Sequence, residues 1–197
     1  MSIVTLVSGG LDSSLMTILA RDEGIEVHPL FIDYGQRARV RELRACMHIF
    51  ESFKLPKPRV ADLSGIGKLI RCGLTSPDLD VRKDAFLPGR NLLFLLVGAS
   101  HAYQLGASAV AIGLLSEEAA IFPDQTNEFV ASAERTLKVA LGWPIKIITP
   151  LMGFTKSEVV AVSHQFGITN TYSCHVGKDK PCGACISCLE YETEEGK

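Results

Sequence analysis

No stretch of about 18 consecutive apolar residues occurs in the chain. A helix needs roughly that length to cross a bilayer, so no membrane partner is expected. An excess of one charge is missing as well: 20 lysines and arginines face 22 aspartates and glutamates, for a net charge of -2. Without a basic footprint, direct nucleic-acid binding is not expected. Met1 is not followed by a basic region, an apolar stretch and a small-residue cleavage site, which predicts a cytoplasmic protein. The sequence has no internal repeat, no low-complexity linker and no His-Glu-x-x-His spacing among its five histidines. Those histidines read as structural or surface residues, with His175 left unassigned.

What is present has ordinary globular composition. With 197 residues, 47% hydrophobic and 21% charged, the chain can bury one core and carry a small appendage. Apolar runs at 3–7, 26–32, 59–62, 109–112 and 145–148 alternate with helix-compatible segments at 13–22, 38–53, 91–105, 128–141 and 156–166. This alternation predicts an α/β fold, a parallel sheet with helices on both faces. Ligands bind such sheets at the carboxyl ends of the strands, which points to 8–12, 33–37, 113–124 and 149–153. Two regions break the pattern. Segment 63–89 is long for a connection and is expected to be a functional lid or a flexible segment. Segment 172–189 gathers four cysteines, and the acidic 190–197 after it is expected to fray. The predicted organisation is a nucleotide-binding domain over 1–170 and a small metal-binding segment with its tail over 171–197.

Ser8-Gly9-Gly10-Leu11-Asp12-Ser13-Ser14 joins the first strand to the first helix. Glycines let the backbone take positive φ and approach a ligand closely, and the first amides of a helix favour an anion. Ser8, Ser13 and Ser14 add hydroxyl donors. A turn with an Asp or Ser N-cap explains the same residues, and from local chemistry both readings stay open. It is not a Walker loop, because the Gly-Lys-Ser/Thr ending is missing. Asp33-Tyr34-Gly35-Gln36-Arg37 offers an acceptor and a guanidinium fork at the ligand edge, or a polar turn ahead of a helix. In Pro88-Gly89-Arg90-Asn91, a cation stands at a helix start, where it is unfavourable unless an anion neutralises it; a solvent-facing arginine is the alternative.

Cys174, Cys182, Cys185 and Cys188 are spaced Cys-x7-Cys-x2-Cys-x2-Cys. Four thiolates complete a tetrahedral shell around zinc and close it to water, so a structural Zn2+ site is predicted. In a reducing compartment metal binding is favoured over disulfides. Cys46 and Cys72 stand alone and read as packing residues.

The stretch Ser8–Ser13 resembles the SGGxDS signature of the pyrophosphatase-loop ATP enzymes, which include GMP, NAD and tRNA lysidine synthetases. Asp33–Arg37, Pro88–Asn91, Gly113, Pro123-Asp124, Thr149–Met152, Lys156 and the four cysteines follow in an order similar to that of the 7-cyano-7-deazaguanine synthase family of queuosine biosynthesis. The resemblance covers nearly the whole chain. It implies an adenine-nucleotide alpha-hydrolase-like, Rossmann-like fold and an ATP-dependent carbon–nitrogen ligase using Mg2+. Its substrates would be a small-molecule deazaguanine acid and ammonia, and the resemblance further implies a homodimer. Ser8, Gly9, Gly10, Asp12, Ser13 and Ser14, with Arg90 and Asn91, would bind the nucleotide. Asp12, Ser13 and Lys156 would serve catalysis, and Tyr34, Gln36, Arg37, Phe122, Pro123 and Asp124 would face the substrate.

One stretch departs from the family. After Gly113 the family usually shows a polar loop ending in Tyr-Pro-Asp-Cys-Arg; here residues 114–126 read LLSEEAAIFPDQT, so the Pro123-Asp124 pair stays while Gln125 and Thr126 replace the cysteine and arginine. That change leaves a second reading open, in which the activated acid is coupled to another amine, such as one on a protein acceptor. A third reading is a zinc-stabilised nucleotide-binding protein without catalysis; the complete loop motif and Lys156 argue against it.

Overall fold

A computed structural model describes residues 1–195. Strands β1 (Ser2–Val7), β2 (Glu26–Asp33), β3 (Arg59–Asp62), β4 (Ala109–Ala111) and β5 (Lys146–Ile148) form one sheet in the order β3-β2-β1-β4-β5. Every neighbouring pair is parallel. Helices α1 (Leu11–Asp22), α2 (Arg39–Ser52), α3 (Gly65–Leu69), α4 (Arg90–Leu105), α5 (Asn127–Leu141), α6 (Lys156–Gln165) and α7 (Ile186–Glu195) complete the chain. Strand order reverses between β1 and β4, so the crevice beyond their carboxyl ends is where such a sheet binds ligands.

Alternation along the strands divides the core in two. Ile3, Val7, Val27, Phe31, Ala109 and Ala111 point to the face covered by α1, α2 and α6, where Leu15, Ile49, Phe50 and Val159 meet them. Val4, Leu6, Leu30, Ile32, Val110 and Ile147 point to the opposite face, under Leu95, Ala99 and Ala102 of α4 and Leu137 of α5. Gly98 lets α4 come close, since a Cβ there would sit 2.7 Å from Val110 Cγ2 and 3.1 Å from Leu6 Cδ2. The outer edge at β5 is covered by a side chain: Glu134 of α5 accepts the Ile147 amide at 2.9 Å, which blunts an otherwise open strand edge. Cys46 and Cys72 are buried in apolar surroundings, as expected of packing residues.

The expected parallel α/β fold is the one found, with most boundaries within a residue. Helix α1 starts earlier, at Leu11, because Gly10 takes the extended N-cap conformation. Segment 63–89 is more structured than a loop. It contains α3, and its remainder packs Cys72, Leu74, Ala85 and Leu87 around Tyr34 as a small apolar cluster. Asp80 holds its turn by accepting the amides of Arg82 and Lys83, each at 2.8 Å. The tail expected to fray from residue 190 is helical to Glu195, as part of α7. Gly196 and Lys197 lie outside the described residues. Among the described residues no helix is long and apolar enough to cross a membrane.

Candidate functional site

The loop 8–10 leaves β1 and feeds α1 at the point where strand order reverses. Gly9 has φ +80°, and a Cβ there would lie 2.2 Å from the Glu42 carbonyl oxygen, so the loop packs directly on the first turn of α2. Gly10 is the N-cap of α1 and supplies no side-chain cap. The Asp-or-Ser cap reading is therefore set aside: neither hydroxyl nor carboxylate occupies the first amides, and a helix start without a cap favours an external anion. Ser8 Oγ lies 3.1 Å from Ser13 Oγ and accepts the Gly10 amide at 3.3 Å. Ser14 is turned inward, donating to the Gly10 carbonyl at 2.7 Å. From the far side Gly113, just beyond β4, presses on Asp12 and Ser13; a Cβ would be 3.3 Å from the Ser13 nitrogen.

Lys156 is the first residue of α6, after the N-cap Thr155. Its ammonium bonds both carboxylate oxygens of Asp12, at 2.8 and 3.0 Å. Glu190 of α7 stands with this pair. Burial raises its carboxyl pKa, Lys156 lowers it and Asp12 raises it further.

A cleft of about 450 Å3 opens here, within the range of ligand pockets. It brings together Ser8, Gly10, Asp12, Ser13, Tyr34, Gln36, Arg90, Asn91, Phe122 and Lys156. Gly9, Ser14, Arg37, Pro123 and Asp124 do not line it. Gly9 and Ser14 shape the loop from behind. Arg37 is turned toward the 70–89 segment, donating to the Gly73 carbonyl at 3.1 Å. Asp124 faces the start of α4: its carboxylate accepts the Asn91 amide at 3.1 Å, and its carbonyl accepts Asn91 Nδ2 at 2.9 Å. The negative group beside a helix N-terminus is stabilising there.

The segment that departs from the family pattern has a folding role. Gln125 Oε1 accepts the amides of Ile121 and Phe122, both at 2.8 Å, while Thr126 caps α5 by accepting the Phe129 amide at 3.1 Å. Phe122 stacks on Phe86 with ring centres 5.1 Å apart, joining the two long connections over the cleft.

Several cleft residues carried no recognisable sequence signal. Glu42 sits in a charged helical stretch that reads as a solvated face. Gln36 donates to its Oε2 at 3.0 Å, and burial pushes its carboxyl up to about 7. Beside them stands Tyr34, which the sequence already names; it is pushed up to about 12 by burial and packs its ring 5.3 Å from Phe94. His175 lines the cleft with Nε2 2.9 Å from Ser187 Oγ, and burial lowers it to about 4. The imidazole is thus neutral at physiological pH. Only its adjacency to Cys174 pointed to it.

The sulfurs of Cys174, Cys182, Cys185 and Cys188 all lie within 4.8 Å of one another, with none in a disulfide. Cys182 and Cys188 are separated by 3.9 Å and Cys185 and Cys188 by 3.4 Å. Four thiolates about 2.3 Å from one tetrahedral ion would stand about 3.8 Å apart, so the cluster fits a single metal ion. Amides support the charge. Burial alone would raise the Cys182 thiol, yet the amides of Ala184 and Cys185 donate to its sulfur and bring it down to about 7. The same segment is tied to the loop 8–10, since the Tyr172 amide donates to the Gly9 carbonyl at 2.9 Å.

Residues 2–193 match the family model described as "Queuosine biosynthesis protein QueC". The 7-cyano-7-deazaguanine synthase of Methanothermobacter thermautotrophicus is 34% identical over 205 aligned residues, covering 96% of this chain and 91% of the relative. Among solved structures, the NMN synthetase of Francisella tularensis superposes with a TM-score of 0.59 at 13% identity, over 100% of this chain and 77% of that one. A predicted subunit of tRNA methyltransferase from Methanocaldococcus jannaschii gives 0.61 at 20% identity, over 83% and 76%. At those identities the structural likeness concerns the fold alone. With the family model matched over nearly its full length, this chain belongs to the QueC family of queuosine biosynthesis proteins.

Proposed function

We propose that the chain is an ATP-dependent ligase that adenylates 7-carboxy-7-deazaguanine and converts it, with ammonia, to 7-cyano-7-deazaguanine. The observation that carries this reading is the uncapped loop 8–10 at the sheet's reversal point, with Lys156 held against Asp12 beside it. The substrate carboxylate attacks the α-phosphorus of ATP, and pyrophosphate leaves. Ammonia then attacks the acyl carbon, AMP departs with one former carboxylate oxygen, and an amide remains. With a second ATP, the amide oxygen attacks the α-phosphorus and pyrophosphate leaves; the nitrogen then loses both protons as AMP departs with that oxygen, and the nitrile forms.

The protein's part in these steps is placement and charge. The first amides of α1 and the hydroxyls of Ser8 and Ser13 hold phosphate oxygens. Lys156 meets negative charge that develops during transfer, in surroundings where a fixed cation acts strongly. Leu6, Ile32, Phe94 and Ile112 form apolar walls that keep water from the activated acid. Magnesium bound with the phosphates would offset their charge, and Asp12 is the loop carboxylate that would face it. The four cysteines would hold zinc as a structural ion. An iron–sulfur cluster fits less well, because its thiolates bind different irons and stand further apart.

The two-part organisation, 1–170 for nucleotide and 171–197 for metal, goes with this reading. So do a cytoplasmic location and a homodimer, for which exposed Leu92 and Leu96 on α4 offer an apolar face. The alternative acceptor amine rests on the changed loop 113–126, of which Gln125 and Thr126 have structural duties that call for no other acceptor. The test supplies ATP, magnesium, ammonia and the deazaguanine acid and follows AMP and product mass. Nitrile is the expected product. AMP with an adduct to another amine would favour the alternative, and bound ATP without turnover would favour a non-catalytic protein.

A further inference from the structure

Three carboxylates line the cleft among the described residues: Asp12, Glu42 and Glu190. Asp12 and Glu190 are grouped with Lys156. Glu42 is set apart, and the charges it senses are Arg90 and Asp33. Its one hydrogen-bond partner among the described residues is the amide of Gln36. The chemistry proposed above gives it no task.

We propose that Glu42 is the specificity-determining residue for the base, accepting the N1–H and 2-amino N–H of the deazaguanine on its carboxylate. This rests on the deazaguanine reading and deepens it. A guanine-type edge presents two adjacent donors, and a carboxylate presents two acceptors in one plane. The corresponding edge of adenine pairs a donor with an acceptor and would meet a carboxylate with repulsion. The rings of Tyr34 and Phe94 line the same cleft and offer faces for a flat heterocycle. Burial also leaves the Glu42 carboxyl poised near neutrality, so a ligand that brings two N–H groups favours the charged form.

Gln36 sets the polarity of this contact. Its Oε1 accepts the Tyr34 amide at 2.9 Å, and its Nε2 donates to the Ile32 carbonyl at 3.2 Å as well as to Glu42 Oε2 at 3.0 Å. Reversing the Gln36 amide would break both backbone bonds, so it can only donate toward position 42. A glutamine at 42 must therefore turn its carbonyl to Gln36 and its NH2 to the ligand. Glu42→Gln keeps the shape and reverses the hydrogen-bonding sign.

The experiment measures AMP formation with three 7-carboxy-7-deazapurines that differ at C2: the 2-amino, the 2-hydrogen and the 2-oxo compounds. Wild-type protein is expected to prefer the 2-amino acid over both others by roughly 10- to 100-fold in kcat/KM, the range for a lost charged hydrogen bond. Glu42→Gln is expected to lose that preference and gain for the 2-oxo acid, which accepts from the new NH2. The change should fall in KM for the acid, with KM for ATP unchanged. A wild-type protein indifferent to the C2 group overturns the assignment, whether or not the variant folds. A variant that keeps the wild-type order also overturns it, as does one whose only defect is a raised KM for ammonia. Wild type yielding no AMP with any of the three acids overturns the deazaguanine reading itself.

Discussion

Lys156 reaches Asp12 across 144 positions of sequence, its ammonium bonded to both carboxylate oxygens. A lysine at the first position of a helix is unfavourable against the helix dipole. Here Asp12 compensates it, and α6 is anchored to the start of α1 through that pair. A phosphate arriving at the loop meets a cation already in place, at no cost in side-chain ordering.

Either Lys156→Ala or Asp12→Ala is expected to reduce AMP formation by about 100- to 1000-fold, with far-UV circular dichroism unchanged. The double variant should lose less than the product of the two, because one ion pair is removed twice. Full activity in Asp12→Ala would sink the assignment of the loop.

Gly9→Ala places a Cβ into the Glu42 carbonyl at a φ of +80°. Left-handed backbone costs an L-residue about 1–2 kcal/mol, and the contact adds to that. Calorimetric titration should show ATP binding lost while a lowered but cooperative melting transition persists.

Glu42 gives the fold a pH dependence of definite sign. Its carboxyl is raised by burial from 4.5 to about 7, so between those values the folded state holds a proton that the unfolded state has released. Stability therefore falls as pH rises from about 4.5 to about 7 through this group, and is flat in it above. Urea unfolding at pH 5, 6, 7 and 8 should show that decline in the wild type and a flatter profile in Glu42→Gln.

Gln125→Ala leaves the amides of Ile121 and Phe122 without their shared acceptor. The expected result is a raised KM for the deazaguanine acid with little change in melting temperature, since the segment is partly exposed and few core contacts depend on it. An unchanged KM would remove this segment from the substrate site.

Metal removal tests the cysteine cluster. Purified protein should contain one tightly held ion per chain, lost in Cys188→Ser or under a strong chelator. Limited proteolysis should then cut within 172–190, and ATP affinity should drop, because Ser187 and Glu190 reach the cleft from α7.

The strands and the five longer sheet-packing helices were legible because their side chains alternate faces or repeat along one helical stripe. The loop 8–14 and the cysteines stood out because each gathers unusual residues at fixed spacing, whereas Lys156 stood out through the family resemblance alone. For Arg37 a sequence gives the residue and not its direction, and in the fold its guanidinium meets the Gly73 carbonyl. Glu42, His175, Ser187 and Glu190 were missed for a related reason. Each lies in a stretch whose composition suits a helix or a metal knuckle, and only tertiary packing turns it toward the cleft. Helix α7 escaped notice because the stretch around Cys188 reads as a metal knuckle, with Cys185 just ahead of the helix.

The bond from Tyr172 to Gly9 has a consequence for how the molecule comes into being. Synthesis runs from the first loop toward the cysteines, at about 5–20 residues per second. The sheet and core helices pack without any residue of 172–190, yet the cleft has no far wall until those residues join it. The cleft is thus closed last, when the cysteine segment docks on the loop, and metal capture by those cysteines would set the moment of closure.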